Sequence, residues 1–221
     1  MVVLISGRGS NMLALVRHSG ESGCPYHIAR VISDKPTAGG LALAAGLGVP
    51  TTAVEARGSA DRAVYDRRLA QTIDESAPAL VVLAGFMRIL SPEFVERYAG
   101  RILNIHPSLL PKYPGLHTHR RALESGDRTH GATVHFVTAE LDAGPPVVRV
   151  RVPVESADDE FTLAARVQAG EHRIYPMAVD WYCAGRLTCR DGRAWLDGAP
   201  LDAPVTVDAP ETARPATQVG P

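Results

Sequence analysis

The sequence predicts an α/β fold, an open, twisted and mainly parallel sheet with helices on both faces, from three observations. Short aliphatic and β-branched runs alternate with segments of helical period, beginning with "VVLI" and "MLALVRHS". The run "ALVVLAG" is apolar from end to end, as a strand covered on both faces must be. A glycine turn, "SGRGSN", joins the first strand to the first helix, the connection expected of a βα unit.

Taken in order, Val2 to Ile5 is the first strand and "MLALVRHS" the first helix, with Ser10 as its expected N-cap. "HIARVISD" is a second strand, "GGLALAAGLG" a helix with a glycine stop, and "TTAVEA" a third strand. "SADRAVYDRRLAQTIDES" has a strong helical period, is expected to be capped by Ser59, and leads into "ALVVLAG". "SPEFVERYAG" is a short helix capped by Ser91 with Pro92 at its first position, and "RILNIH" is the next strand.

"PSLLPKYPG" has three prolines and is irregular. A helix from about Thr118 to Ser125 precedes the strands "ATVHFVT" and "VVRVRVPV", whose alternation predicts an antiparallel or mixed section of sheet. "DDEFTLAARVQAGEHRIYPMAVDWYCAG" is a long amphipathic helix, and "RLTCRDGRAWLDG" a hairpin turning at Asp191 and Gly192. The arrangement is Rossmann-like with a C-terminal hairpin. Residues 1–198 are expected to form one domain. From Ala199 the composition turns to Pro, Ala and Thr without period, so 199–221 is expected to be a disordered tail.

With 221 residues and 45% hydrophobic side chains, the chain can bury one core without a metal or disulfide staple. A formal charge of -1 gives no bulk attraction to nucleic acid or an anionic membrane, so an anionic substrate has to be caught locally. Three cysteines without a CxxC pair point to reduced thiols. The apolar opening "MVVLISG" is too short for a secretion signal, and no stretch is long enough to span a bilayer. A soluble cytoplasmic protein is the expectation.

The glycine turn can hold an anion, because its backbone is accessible and a helix N-terminus offers free N–H groups. It matches neither dinucleotide pattern nor P-loop: Met12 stands where a third glycine would be, and no GK[ST] follows. A single phosphate group and a plain capping turn both remain open.

Asn104 and His106 lie two residues apart at the end of a strand, hence on one face, at the edge where open α/β sheets collect ligands. An Asn amide can donate to a developing oxyanion, and a His can carry a proton near neutral pH. Asp142, in the glycine-hinged "LDAG", would favour the charged form of a nearby imidazole. The alternative is that all three serve a strand end and a turn. A metal site could be built from His117, His119, His130 and His135, but no HExxH or cysteine pair supports it. GxSxG is absent, so covalent catalysis by serine is disfavoured.

Four segments taken together, "LISGRGSN", "VVLAGFMRILSPEFVERYAGRILNIHPSLLPKYPGLHTHRRALESGD", "HGATVHFVTAELDAGP" and "RVQAGEHRIYP", resemble the phosphoribosylglycinamide formyltransferases, over nearly the whole chain to about Gly198. The resemblance implies the formyltransferase fold and metal-free formyl transfer from 10-formyltetrahydrofolate to glycinamide ribonucleotide. It implies that Asn104 holds the formyl oxygen, His106 donates a proton and Asp142 favours the charged histidine. It further implies that Gly9, Ser10 and Asn11 cradle the phosphate, and that Glu171 holds the amino or ribose end. Arg62, Met87, Arg88, Ile89 and Leu90, with Asn104, would receive the folate.

Related catalytic cores occur in methionyl-tRNA formyltransferase and formyltetrahydrofolate deformylase. A non-catalytic folate or nucleotide sensor is a further alternative. The expected partners are the two small molecules, without nucleic acid or membrane. A homodimer through the sheet edge or the helix at Pro92 is compatible with the sequence, which does not decide it.

Overall fold

The computed structural model describes residues 1–55 and 62–209. Its main sheet has eight strands in the order β11-β7-β6-β5-β4-β1-β2-β3. Strands β1 (Val2–Ile5), β2 (Arg30–Ser33), β3 (Thr51–Ala53), β4 (Val81–Leu83) and β5 (Ile102–His106) are mutually parallel. Strand β6 (Thr129–Phe136) is antiparallel to β5 and to β7 (Pro146–Pro153), and β11 (Val205–Asp208) runs parallel to β7. The predicted α/β class, the parallel half and the mixed section all hold.

Alternate residues of one strand feed two cores. Val3 and Ile5 face one cluster with Met12 and Leu15 of α1 (Ser10–Ser19), Ala44 of α2 (Gly39–Gly46) and Leu163, Val167 and Ile174 of α6 (Glu160–Cys183). Val2 and Leu4 face the other, with Tyr65, Leu69 and Ile73 of α3 (Arg62–Asp74) and Phe94 and Val95 of α4 (Pro92–Arg97). The period of two along the strand produces both. α5 (Thr118–Glu124) follows the irregular proline segment.

Local chemistry sets the helix ends that matter for the site. The Ser91 hydroxyl accepts from Phe94 N at 3.2 Å, and its own N–H donates to Asp66 Oδ2 at 2.7 Å, tying α4 to α3. Asp159 and Thr162 form a reciprocal capping box at the start of α6. The predicted hairpin is β8 (Leu187–Arg190) and β9 (Arg193–Leu196), with Asp191 and Gly192 both at positive φ as a two-residue primed turn requires.

Two expectations are corrected. Ser10 is not the N-cap of α1: Gly9 is, at φ 76°, and a Cβ there would lie 3.1 Å from Gly40 Cα. The tail does not begin at Ala199. Ala199–Pro200 forms β10 against β9, and Val205–Asp208 adds β11 to the main sheet. The reason is local alternation inside a proline-rich stretch: Val205 and Val207 pack on the core, while Thr206 and Asp208 meet Arg149 and Arg151 of β7. Residues 210–221 and the expected cap Ser59 lie outside the described residues.

Candidate active site

Strand β5 ends where β4 and its parallel neighbours end, and the loops beyond them enclose a cavity of about 470 Å³. Asn104, His106 and Asp142 all line it, together with Met87, Arg88, Ile89 and Leu90. The structure therefore brings the three expected reacting groups and the expected folate loop into one place.

Asn104 lies directly across the β5–β6 ladder from His135, and its Nδ2 is 3.1 Å from His135 Nε2. The other nitrogen of His135, Nδ1, is 2.9 Å from the carbonyl of Phe136, which can only accept. That partner places the proton on Nδ1 and leaves a lone pair on Nε2, so Asn104 presents its NH₂ and not its oxygen to the ring. Burial holds the His135 pKa down to about 4, so the ring stays neutral near neutral pH.

The His106 imidazole is buried and held by two loops. Its Nε2 donates to the carbonyl of Tyr113 at 2.9 Å, within the proline-rich segment. Its Nδ1 lies 3.4 Å from Asp142 Oδ2. Asp142 Oδ2 also accepts from Gly115 N at 2.8 Å, and Oδ1 is 3.9 Å from His135 Nε2. One carboxylate thus faces both histidines.

The turn "LDAG" has a physical reason for its composition. Asp142 sits at φ 53°, in the left-handed region that Asp tolerates better than most residues. A Cβ on Gly144 would lie 1.8 Å from the Phe136 carbonyl oxygen, so only glycine lets this loop close against the end of β6.

The loop 85–90 is pinned from below. Met87 N donates to Ser6 Oγ at 2.8 Å, and Ser6 Oγ donates to Asp34 Oδ1 at 2.6 Å. Met87 and Ile89 are 67% and 59% exposed, an apolar rim at the cavity mouth. The Arg88 guanidinium lies 4.3 Å from the centre of the Tyr65 ring. Arg62 meets the backbone of the same loop. Its guanidinium donates to the carbonyls of Ile89 and Leu90, each at 2.8 Å, so it braces the loop without lining the cavity.

The glycine turn forms a second part of the site. Asn11 Nδ2 donates to Glu171 Oε2 at 2.8 Å, and Gln168 Nε2 donates to Ser10 Oγ at 3.0 Å. Glu171 is buried, and burial pushes its carboxyl above the usual range while the Asn11 bond pulls it back. Asn11 Oδ1 is buried without a partner among the described residues, an acceptor that a ligand N–H or O–H would satisfy. These residues do not line the cavity around His106. Tyr175, one turn beyond Glu171 on α6, connects the two regions: its hydroxyl lies 2.8 and 3.0 Å from the carbonyl oxygens of Leu83 and Leu103, which share its one proton.

The histidines considered as a metal set do not converge. His119 Nδ1 and His130 Nε2 pair with each other at 3.1 Å, and His135 is committed to Asn104. His135, which sequence reasoning placed only in a possible metal set, and Gln168, which it did not place, are the residues the structure adds. The signal for His135 is its strand position opposite Asn104, which needs the register; Gln168 lies one helical turn before Glu171.

An amide and an imidazole at the end of a parallel strand, with a carboxylate from the β6–β7 turn beside them and an apolar slot alongside, make an arrangement suited to oxyanion and proton chemistry on a transferred group. The chain belongs to the formyl transferase family, whose model matches residues 1–179. It is 53% identical over 201 residues to the phosphoribosylglycinamide formyltransferase of Escherichia coli K12, covering 91% of this chain and 95% of that one. The solved phosphoribosylglycinamide formyltransferase of Coxiella burnetii superposes with a TM-score of 0.89 at 44% identity, covering 93% and 97% of the two chains. A formyltetrahydrofolate deformylase from Pseudomonas syringae is more distant, with a TM-score of 0.80 at 28% identity and 65% of its chain covered.

Proposed function

We propose that this chain transfers the formyl group of 10-formyltetrahydrofolate to the amine of glycinamide ribonucleotide, a step of purine biosynthesis. The observation that carries the reading is the convergence of Asn104, His106 and Asp142 on the cavity bordered by residues 87–90. The curated relative that shares more than half of its residues bears the name of this activity. The reaction needs formyl-folate and no metal.

The flat pteridine lies against the loop 87–90, and the phosphate of the ribonucleotide rests on the backbone of Gly9, Ser10 and Asn11 at the start of α1. Glu171 and the free Asn11 Oδ1 receive donors from the ribonucleotide. The glycinamide nitrogen attacks the formyl carbon, forming a C–N bond and placing negative charge on the formyl oxygen. The Asn104 amide and the Nε2–H of His106, once it leaves the Tyr113 carbonyl, stabilise that charge. The C–N10 bond then breaks, N10 gains a proton, and the attacking amine loses one. Asp142 keeps His106 oriented and takes part in this transfer through a water.

The test is the loss of 10-formyl-folate followed with and without glycinamide ribonucleotide. Strong acceptor dependence is expected. Consumption at the same rate without acceptor would select the deformylase, and folate binding without any turnover would select the sensor. The three cysteines are unpaired, and no helix among the described residues is long and apolar enough to cross a membrane; we assign the reaction to the cytoplasm. Light scattering in solution decides between a monomer and the homodimer that the sequence permits.

A further inference from the structure

A second polar cluster lies away from the reaction cavity. Helix α1 runs back along the sheet after β1 and carries His18 towards the edge where the parallel strands begin. The connection to β2 brings Cys24 there, and the last turns of α6 bring Asp180. One ligand atom from each of the three can be chosen so that all lie within 4.8 Å of one another. His18 Nε2 is 2.7 Å from Asp180 Oδ2, and Cys24 Sγ is 3.9 Å from Oδ1 of the same carboxylate. The remaining ring nitrogen, Nδ1, faces Glu21 Oε2 at 3.1 Å.

A neutral imidazole has one N–H to give, and here both nitrogens face carboxylate oxygens. The Nε2 hydrogen bond to Asp180 is satisfied by a proton on Nε2, while Glu21 Oε2 lies near Nδ1. A metal ion can take the place of that proton, held by the same nitrogen and the same carboxylate. A histidine whose second nitrogen is oriented by a carboxylate is the usual form of a metal-ligating histidine. The Cys24 sulfur then selects the ion: thiolate, imidazole and carboxylate together suit Zn²⁺, whereas Mg²⁺ and Ca²⁺ take oxygen.

Bond lengths of roughly 2.0–2.3 Å put tetrahedral ligands about 3.3–3.8 Å apart. The His18–Asp180 pair, made through Oδ2, would open by less than about 1 Å, while Cys24, 3.9 Å from the other oxygen, would move in, since the three ligand atoms lie within 4.8 Å of one another and have to draw together by up to about 1 Å. His18, Glu21 and Asp180 also line a cavity of about 680 Å³ between α1 and α6, which gives an ion a path in and leaves room for a water as fourth ligand.

We propose that His18, Cys24 and Asp180 bind Zn²⁺, with Glu21 orienting His18, at a site that ties α1 to α6 and takes no part in formyl transfer. The test uses the reduced, tag-free full chain, titrated with Zn²⁺ by calorimetry and with Co²⁺ by absorbance. One ion per chain, a thiolate-to-cobalt band in the near ultraviolet and a higher Tm with Zn²⁺ are expected. Cys24→Ser should remove the band and weaken Zn²⁺ binding at least tenfold, and Asp180→Asn should weaken it comparably. Glu21→Gln, at the most exposed of these residues, should weaken it roughly tenfold without risk to folding. Cys183→Ser and Cys189→Ser should leave binding intact, and turnover should be unchanged throughout. No band in the native chain, binding that survives Cys24→Ser, or binding lost in Cys183→Ser overturns the proposal.

Discussion

Asn104 and His135 face each other across the β5–β6 ladder, and the amide of one donates to the unprotonated Nε2 of the other at 3.1 Å. The neutral histidine fixes which end of the amide is the donor end, and the same amide borders the cavity where a formyl oxygen would lie. His135 is in this sense a positioning residue for Asn104. His135→Phe removes the acceptor and frees the amide to turn. Turnover should fall by about tenfold or more, the scale of one misplaced oxyanion donor, with little change in KM for formyl-folate. An unchanged kcat would separate His135 from the reaction.

His106→Ala should lower kcat by on the order of 100- to 10,000-fold, as expected for a lost proton donor. Asn104→Ala should lower it by about 100- to 1,000-fold. Steady-state rates with both substrates saturating check both. Near-normal turnover in either variant would remove that side chain from the mechanism.

Acid should weaken the fold before the carboxylates titrate. His135 has its pKa lowered from 6.5 to about 4 by burial, so between those values the unfolded chain binds a proton that the folded chain does not. Its contribution is fully present above pH 6.5, declines as the pH falls through that window, and is lost below about 4. The slope approaches about 1.4 kcal/mol per pH unit, to a total on the order of 3 kcal/mol. His130, also lowered to about 4, acts in the same direction. Urea unfolding at stepped pH should show the decline, and His135→Phe should flatten part of it. Equal slopes in both proteins would contradict this account.

Glu171→Gln keeps the shape of the side chain and its bond from Asn11 but removes the charge. KM for glycinamide ribonucleotide should rise by about 10- to 100-fold, the worth of one hydrogen bond to a charged group, and KM for formyl-folate should not move. A parallel rise in both would make the effect structural.

Gly144→Ala has nowhere to put its methyl group, because a Cβ would meet the Phe136 carbonyl oxygen at 1.8 Å. The loop must shift and carry Asp142 away from His106. Loss of activity together with a drop in stability of about 1–3 kcal/mol is expected from thermal melts and rates. A fully active variant would show that Asp142 does not depend on this closure.

Much was legible in the chain itself. Apolar runs alternating with helical periods dictated the parallel α/β sheet, because each pattern can bury its apolar face in only one way. Ser91, Pro92, Asp191 and Gly192 marked their helix start and turn through local backbone chemistry, which needs no distant partner. Asn104 and His106 shared a face because a strand repeats every two residues. The tertiary structure decided the rest, since it depends on contacts between segments far apart in sequence. It opposed His135 to Asn104 through the antiparallel register and closed Asp142 onto His106 through Gly144. It tied Arg62 to the carbonyls of Ile89 and Leu90, made an edge strand of Val205–Asp208 inside a proline-rich stretch, and set Cys24 beside His18 and Asp180. Composition and local period carry no information about which strands pair or which loops meet, and those pairings are what turn a set of polar residues into a site.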